Sequence, residues 1–134
     1  MTPYYDHGGI TIYHGDCRDV LPMLCAHTII TDPVWPRATV PLKGHDDPQR
    51  LFAEACSAFP DTVVRLAVQL GCDSDPRFLQ AVPEHFPFFR VCWHTFPRVG
   101  YKGRLLYTGD VPYLFGSPPA SKPGQRVIPG RCMD

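Results

Sequence analysis

A run of four β-branched residues that ends at Asp-Pro constrains this chain most: Thr28-Ile29-Ile30-Thr31 leads directly into Asp32-Pro33-Val34-Trp35. β-Branched residues favour a strand, and Pro33 ends it because proline cannot donate to the ladder of a sheet. The pattern predicts a short buried strand with a carboxylate at its carboxyl end, the edge where ligands bind in open α/β sheets. Asp32 can accept hydrogen bonds from an amino group, and Trp35 can stack on a flat ring. An ordinary strand-ending turn and a core aromatic are the alternatives.

The residues around this run predict alternating strands and helices. Two β-favouring stretches around a Gly-Gly turn come first, and a short helix is expected over residues 16–24. Asp47-Pro48 and Asp75-Pro76 each predict the start of a helix. Between them, the apolar run over residues 63–70 predicts a strand covered on both faces. This alternation predicts an α/β fold in which crossover helices join parallel strands.

The last third of the chain is rich in aromatic and basic residues. Residues 86–96 and 111–115 predict strands, and a glycine-punctuated basic loop lies between them. Residues 117–134 contain four prolines and two glycines, which predicts a loop or tail. We therefore divide the chain into an α/β domain over residues 1–116 and a Pro/Gly-rich basic tail over residues 117–134.

Charge is unevenly distributed along the 134 residues, although the net charge is zero. Residues 1–89 carry six Lys/Arg and eleven Asp/Glu, whereas residues 90–134 carry seven and two. Proteins that bind DNA unaided are usually basic overall, so neutrality argues against tight binding of duplex DNA by this chain alone. Phosphate contacts are expected in the basic third, at Arg98, Lys102 and Arg104. The alternative is that the two charged halves face each other or solvent.

Neither the cysteines nor the histidines have the spacing of a metal site. The six cysteines include no Cys-x-x-Cys pair and the six histidines no His-x-x-x-His pair, so we predict no metal. Buried, reduced thiols are expected, with Cys17, Cys56 and Cys92 in or beside regular elements. No apolar run approaches the ~20 residues needed to cross a bilayer, and no signal peptide is recognisable. A cytoplasmic protein that does not contact membranes is expected.

The stretch Asp32-Pro33-Val34-Trp35 resembles the catalytic Asp-Pro-Pro-aromatic motif of DNA amino-methyltransferases of phage and bacterial type. These enzymes methylate adenine N6 or cytosine N4 with S-adenosylmethionine. The resemblance extends back over residues 10–17, which end in Gly-Asp-Cys, and is typical of the permuted class, in which the catalytic motif comes first. It extends more weakly forward over residues 69–73 and 103–107. Val34 replaces the second proline, and the Phe-x-Gly-x-Gly-type cofactor loop carried near the C-terminus in this family is not found.

The resemblance implies a partial Rossmann-like methyltransferase sheet with crossover helices and a C-terminal β-hairpin. It implies that Asp32 accepts a hydrogen bond from the base amine, that the Pro33 carbonyl takes the other proton, and that Trp35 stacks on the flipped base. Asp16 corresponds to an acidic residue near S-adenosylmethionine, and a helix N-cap is the alternative for it.

Two functions remain open at this point. The first is the catalytic-motif portion of a DNA amino-methyltransferase, incomplete on its own because no glycine-rich turn for the cofactor is found. The alternative is a non-catalytic descendant that binds a protein, for instance a phage inhibitor of a host defence complex. DNA is the expected partner of the first and a protein that of the second, and an exposed sheet edge would allow a homodimer. Adenine and cytosine both remain open as the base.

Overall fold

The computed structural model describes residues 1–36, 41–71, 74–102, 104–120, 123–124 and 131–133. Within these residues the chain forms eight strands, two α-helices and two short 3-10 helices. The strands are β1 (Tyr5–His7), β2 (Ile10–Ile12), β3 (Thr28–Thr31), β4 (Arg65–Leu70), β5 (Phe88–Val91), β6 (Trp93–Lys102), β7 (Leu105–Gly116) and β8 (Arg131–Met133). The helices are α1 (Cys17–Val20) and α2 (Pro48–Ser57), and the 3-10 helices are Leu21–Met23 and Pro76–Ala81.

A mixed sheet of six strands organises the fold: five lie in the order β3-β4-β7-β6-β8, and the sixth, β5, pairs with β7 outside this order. β3 and β4 are parallel, and α2 lies in the connection between them. β7 runs antiparallel to β4 and also pairs with β5 and β6. The predicted α/β class is confirmed at the level of helices combined with a multi-strand mixed sheet.

The two Asp-Pro pairs that were predicted to start helices, Asp47-Pro48 and Asp75-Pro76, start helical segments of different kinds. Asp47 is the N-cap of α2, its side chain accepts from the Arg50 amide, and Pro48 occupies the first turn. Asp75 caps Pro76–Ala81 in the same way, but that segment is a 3-10 helix. The expectation of a second crossover α-helix there was therefore wrong, because six residues of 3-10 helix end at Ala81 and the strand that follows pairs with β7.

One face of β4 forms the core. Leu66, Val68 and Leu70 are at most 2% exposed, whereas the alternate residues of the strand are only half-buried. The buried cluster comprises Phe52, Cys56, Val63, Leu66, Val68, Leu70, Phe78, Phe86 and Phe115. The expectation that β4 is covered on both faces was wrong. Among the described residues, α2 and the 3-10 helix Pro76–Ala81 cover one face of the sheet, and the other face stays accessible.

The N-terminal elements follow the sequence pattern. β1 and β2 pair around Gly8-Gly9, whose φ angles of +61° and +79° suit the tight hairpin predicted there. Both strands are exposed along their length and form a separate two-stranded sheet. α1 ends after four residues, where a 3-10 helix containing Pro22 begins. Proline lacks the N–H needed to continue the α-helix, which accounts for this short helix.

β6 and β7 form a long antiparallel hairpin at the C-terminal side of the chain. Their pairing is irregular between Thr95 and Gly100, where the register shifts. Within the segment expected to be a loop or tail, β8 pairs in parallel with β6, and the sequence pattern did not predict this strand.

The cysteines depart in part from expectation. The structure describes Cys17, Cys25, Cys56 and Cys92 as free thiols; Cys72 and the side chain of Cys132 lie outside its description. Cys56 is in the core, where burial raises the pKa of its thiol to about 12. Cys17 of α1 and Cys25, after the 3-10 helix Leu21–Met23, are exposed, so the expectation of buried thiols was wrong for these two. Among the described residues, none of the helices has the length and apolar character to span a membrane.

Candidate active site at the carboxyl end of β3

The Asp32-Pro33 turn ends the parallel pairing of β3 with β4, and the indole N–H of Trp35 replaces the main-chain donor that Pro33 lacks. The ladder begins where the Arg65 amide donates to the His27 carbonyl at 3.2 Å. With the two-residue repeat of a parallel pair, the Gln69 carbonyl falls opposite residue 33. Pro33 has no N–H to donate. Trp35 Nε1 donates to the Gln69 carbonyl oxygen instead, at 3.0 Å. The turn is thus fastened to β4 by a side chain.

Trp35 combines the two roles considered for it from sequence. Its ring is half-buried and packs against the core cluster, as a core aromatic does. The same indole N–H opposes in part the rise in the pKa of the Asp32 carboxyl group. An aromatic ring is therefore held beside the carboxylate of the turn.

A second carboxylate, Asp110 of β7, acts electrostatically on Asp32. Asp110 is only 5% exposed, and its Oδ2 accepts from Gln69 Nε2 at 3.3 Å. Partial burial, and then the negative charge of Asp110, raise the pKa of Asp32 above its ordinary value. Sequence reasoning missed Asp110. The available signal was an acidic residue directly before a predicted strand, in a region that is otherwise basic.

A cleft of about 450 Å³ opens beside β3, between that strand, α1 and α2. Its size lies within the range of small-molecule sites, roughly 300–1,000 Å³. Its polar wall includes Asp16, Asp32 and Lys43. The rest of the lining is mostly apolar: Leu21, Ile29, Ile30, Pro33, Val34, Pro48, Leu51, Phe52, Ala55 and Phe59. The structure thus brings Asp16, Asp32 and Pro33 to one cavity, whereas Trp35 lies on the Gln69 side of the turn.

Asp16 is both a helix cap and part of the cleft wall. Its Oδ1 accepts from the Arg18 amide at 3.0 Å, so the N-cap considered as the alternative for this residue is confirmed. The Arg18 guanidinium also pairs with Asp16 Oδ2 at 2.6 Å. These hydrogen bonds hold the pKa of Asp16 well below its usual range. Arg18 pairs in addition with Glu54 of α2 at 2.5 Å, so this arginine ties the cap to the wall of the cleft.

The basic residues predicted to contact DNA lie on the β6–β7 hairpin, away from Asp32. β4 pairs only with residues 111–116 of β7, so the remainder of the hairpin extends past the carboxyl end of β4. Its tip lies about six residues, or roughly 20 Å, beyond Asp110. Arg98 and Arg104 are exposed there, and Lys102 ends β6. The hairpin therefore projects from the edge of the sheet that carries Asp32.

Two further observations bear on function. Among the described residues, no group of three His, Cys, Asp or Glu side chains is arranged to hold a metal ion. In comparisons with known proteins, the chain matches no protein-family model and no curated protein. Residues 37–40 of the loop behind the turn lie outside the described residues.

Proposed function

We propose that this chain is the catalytic-motif portion of a DNA amino-methyltransferase built on a partial Rossmann-like sheet. One observation carries the proposal: Asp32 ends the parallel strand β3 between a ligand-sized cleft that Asp16 also lines and the anchored ring of Trp35. A hydrogen-bond acceptor for an amine then stands between a space for a methyl donor and an aromatic surface for a base. The crossover-linked parallel pair and the antiparallel hairpin beside it support this choice of fold. Such an enzyme acts on DNA in the cytoplasm.

The side chains of the turn have distinct roles in this proposal. Asp32 accepts a hydrogen bond from the exocyclic amine of adenine or cytosine, which increases electron density on the attacking nitrogen. Its raised pKa makes it a stronger acceptor than an ordinary aspartate. The Pro33 carbonyl accepts from the second amine hydrogen. Trp35 stacks on the flipped base, an interaction worth ~1–3 kcal/mol per base in single-strand binders. With the methyl donor bound, the N–C bond would form as the sulfur–methyl bond breaks to leave a neutral thioether, and Asp32 is placed to receive the proton that the nitrogen then gives up.

The cleft fits the methyl donor in part. S-adenosylmethionine supplies an electrophilic methyl group on a sulfonium. The apolar lining of the cleft suits the adenosyl group, and Asp16 and Lys43 supply the polar contacts of the wall. Because the sequence offers no glycine-rich turn after a strand, where backbone approaches such a ligand closely, we propose that another polypeptide segment completes the site.

The β6–β7 hairpin is the proposed DNA contact. Arg98, Lys102 and Arg104 carry positive charge on a projection from the edge that bears Asp32. Phosphate contacts at that distance position the strand without reading its sequence. The exposed ring of Tyr101, with 77% of its surface accessible, lies between these residues. Charge and an aromatic surface together suit a single strand or a flipped nucleotide.

Base-dependent quenching of Trp35 fluorescence tests the proposal. In a Trp93→Phe background Trp35 is the sole tryptophan, so stacking on it is directly observable. Titration uses single-stranded oligonucleotides of dA, dC or dT, because thymine has no exocyclic amine. We expect dA or dC to bind more tightly than dT. The hydrogen bond to a charged group is worth about 1.5–3 kcal/mol, so the preference is on the order of tenfold or more.

Two variants control this titration. Asp32→Ala is expected to remove the preference for amine-bearing bases and to leave dT binding unchanged. Asp61→Ala makes the same substitution at another exposed aspartate and is expected to preserve the preference. Equal binding of dA, dC and dT by the chain that retains Asp32 would refute the proposal.

A non-catalytic binding protein is the second candidate, and the exposed N-terminal hairpin favours it. Ile10 is 60% exposed and Ile12 47%, on a strand that belongs to no larger sheet among the described residues, and Tyr4, directly before β1, is 81% exposed. Ile30, on the edge strand β3, is 82% exposed and suits pairing with a protein or with a second copy. If binding is the function, Asp32→Ala leaves capture of the partner intact, whereas Ile30→Lys or Ile10→Lys abolishes it.

A further inference from the structure

Gln69 connects the Asp32 turn to the long hairpin through both its main chain and its side chain. Its carbonyl oxygen accepts from Trp35 Nε1 at 3.0 Å, and its Nε2 donates to Asp110 Oδ2 at 3.3 Å. Gln69 lies near the end of β4, and Asp110 lies where β7 leaves β4 and continues along β6. Three segments that are distant in sequence therefore meet at this residue.

Asp110 is an unusual residue for its position. It is the one charged side chain among the described residues that is nearly excluded from solvent, at 5% exposure. A buried carboxylate is costly unless it is hydrogen-bonded. Gln69 supplies such a bond. Asp110 is thus a buried carboxylate that acts electrostatically on Asp32.

We propose that Gln69 and Asp110 are positioning residues that hold Asp32 and Trp35 for an amine-bearing base. This inference rests on the proposed function. Asp110 acts through Asp32 and not by touching the base, because its own side chain is buried. The charge of Asp110 disfavours the binding of an anionic ligand at the turn and strengthens Asp32 as an acceptor of N–H bonds. Asp110 and Asp32 together therefore select N–H donors over anions.

Several charged groups surround Asp32, and a test must distinguish the titration of Asp32 from theirs. Asp110 acts on it from β7, and His94 lies opposite Asp110 in the hairpin register. Asp16, Arg18 and Lys43 line the cleft with it, and Arg18 is already paired with Asp16. The readout must therefore be the carboxyl of Asp32 itself, resolved by carbon-detected NMR as pH is varied.

The test compares Asp110→Asn with Asp110→Glu. Asn keeps an oxygen that accepts from Gln69 but removes the charge, and Glu keeps the charge. We expect Asp110→Asn to lower the pKa of Asp32 towards its ordinary value and to reduce the preference for dA or dC over dT severalfold. Asp110→Glu is expected to retain both. An Asp32 pKa that is unchanged in Asp110→Asn overturns the inference, because a merely structural role would give that result.

Gln69→Met provides a second variant in case Asp110→Asn does not fold. It preserves the length of a half-buried side chain and removes the amide that holds Asp110. The base preference is expected to shrink here too, and an unchanged preference contradicts the inference. The parent protein, with Gln69 and Asp110 intact, tests the proposed function separately. If it shows no base preference, the methyltransferase proposal fails. If the pKa of Asp32 nevertheless responds to Asp110→Asn, the effect of Asp110 on Asp32 still holds.

Discussion

Trp35→Phe tests whether the indole replaces the amide that Pro33 lacks. The substitution keeps an aromatic ring against the core and removes only the donor to the Gln69 carbonyl. A polar group left unsatisfied costs about 1–3 kcal/mol, and the half-buried setting of Gln69 favours the lower half of that range. The smaller ring adds about 0.5 kcal/mol at roughly 25 cal/mol per Å² of lost burial. We therefore expect the free energy of unfolding to fall by about 1.5–2.5 kcal/mol.

Urea denaturation followed by circular dichroism measures this change, and two further variants isolate its cause. Trp93→Phe makes the same chemical change at a residue that is 60% exposed. It is expected to stay within about 0.5 kcal/mol of the parent protein. Pro33→Ala restores an N–H opposite the Gln69 carbonyl. In that background Trp35→Phe is expected to cost about 1 kcal/mol less, since the new amide takes over the hydrogen bond.

If Trp35→Phe costs no more than Trp93→Phe, the hydrogen bond from the indole to Gln69 does not stabilise the turn. If Pro33→Ala leaves the cost of Trp35→Phe unchanged, the indole does not replace the missing main-chain donor. Either result would return Trp35 to the role of an ordinary core aromatic.

Gly109→Ala places a Cβ 2.0 Å from a carbonyl oxygen of the facing strand β6, whereas Gly100→Ala, in the same hairpin, meets nothing within 4 Å. Thermal denaturation should show a loss of about 1–3 kcal/mol or more for the first and little change for the second, and equal losses would contradict the hairpin register. Asp32 has a raised pKa in the folded state, so its contribution to stability is present at low pH and is lost as pH rises through that pKa. The free energy of unfolding of Asp32→Asn relative to the parent protein should therefore increase with pH in urea titrations, and a constant difference would contradict the environment assigned to Asp32. Asp16 has the opposite behaviour, because Arg18 lowers its pKa: its contribution is present above the unfolded pKa and is lost as pH falls through the folded one. Arg18→Gln should accordingly lose less stability than the parent protein on acidification below pH ~4, and identical slopes would show that the ion pair does not persist in solution.

The parts of the fold that sequence predicted are those set by neighbouring residues. The turn at Asp32-Pro33 and the caps at Asp47 and Asp75 follow from the missing N–H of proline and from short-range hydrogen bonds of aspartate. The Gly8-Gly9 hairpin is local in the same sense. In these cases the physics acts within a few residues, so the pattern alone was sufficient.

The parts that sequence did not predict depend on pairing between distant segments. Gln69 and Asp110 are 41 residues apart and meet only because of the register of β4 with β7. The accessible second face of the sheet reflects which elements pack on it, and the apolar composition of β4 alone does not determine this. β7 is 12 residues long because it pairs with β4, β5 and β6. The sequence pattern predicted a strand only over residues 111–115.

The most direct test of the account is calorimetric titration of the chain with S-adenosylmethionine. The account predicts saturable binding in the cleft beside β3, with a Kd at or below about 1 mM, corresponding to roughly −4 kcal/mol. Ala55→Phe, which fills the apolar wall of that cleft, should abolish the binding while the circular dichroism spectrum stays unchanged. The absence of binding at millimolar donor, or binding that Ala55→Phe leaves intact, would contradict a methyl-donor site in this cleft.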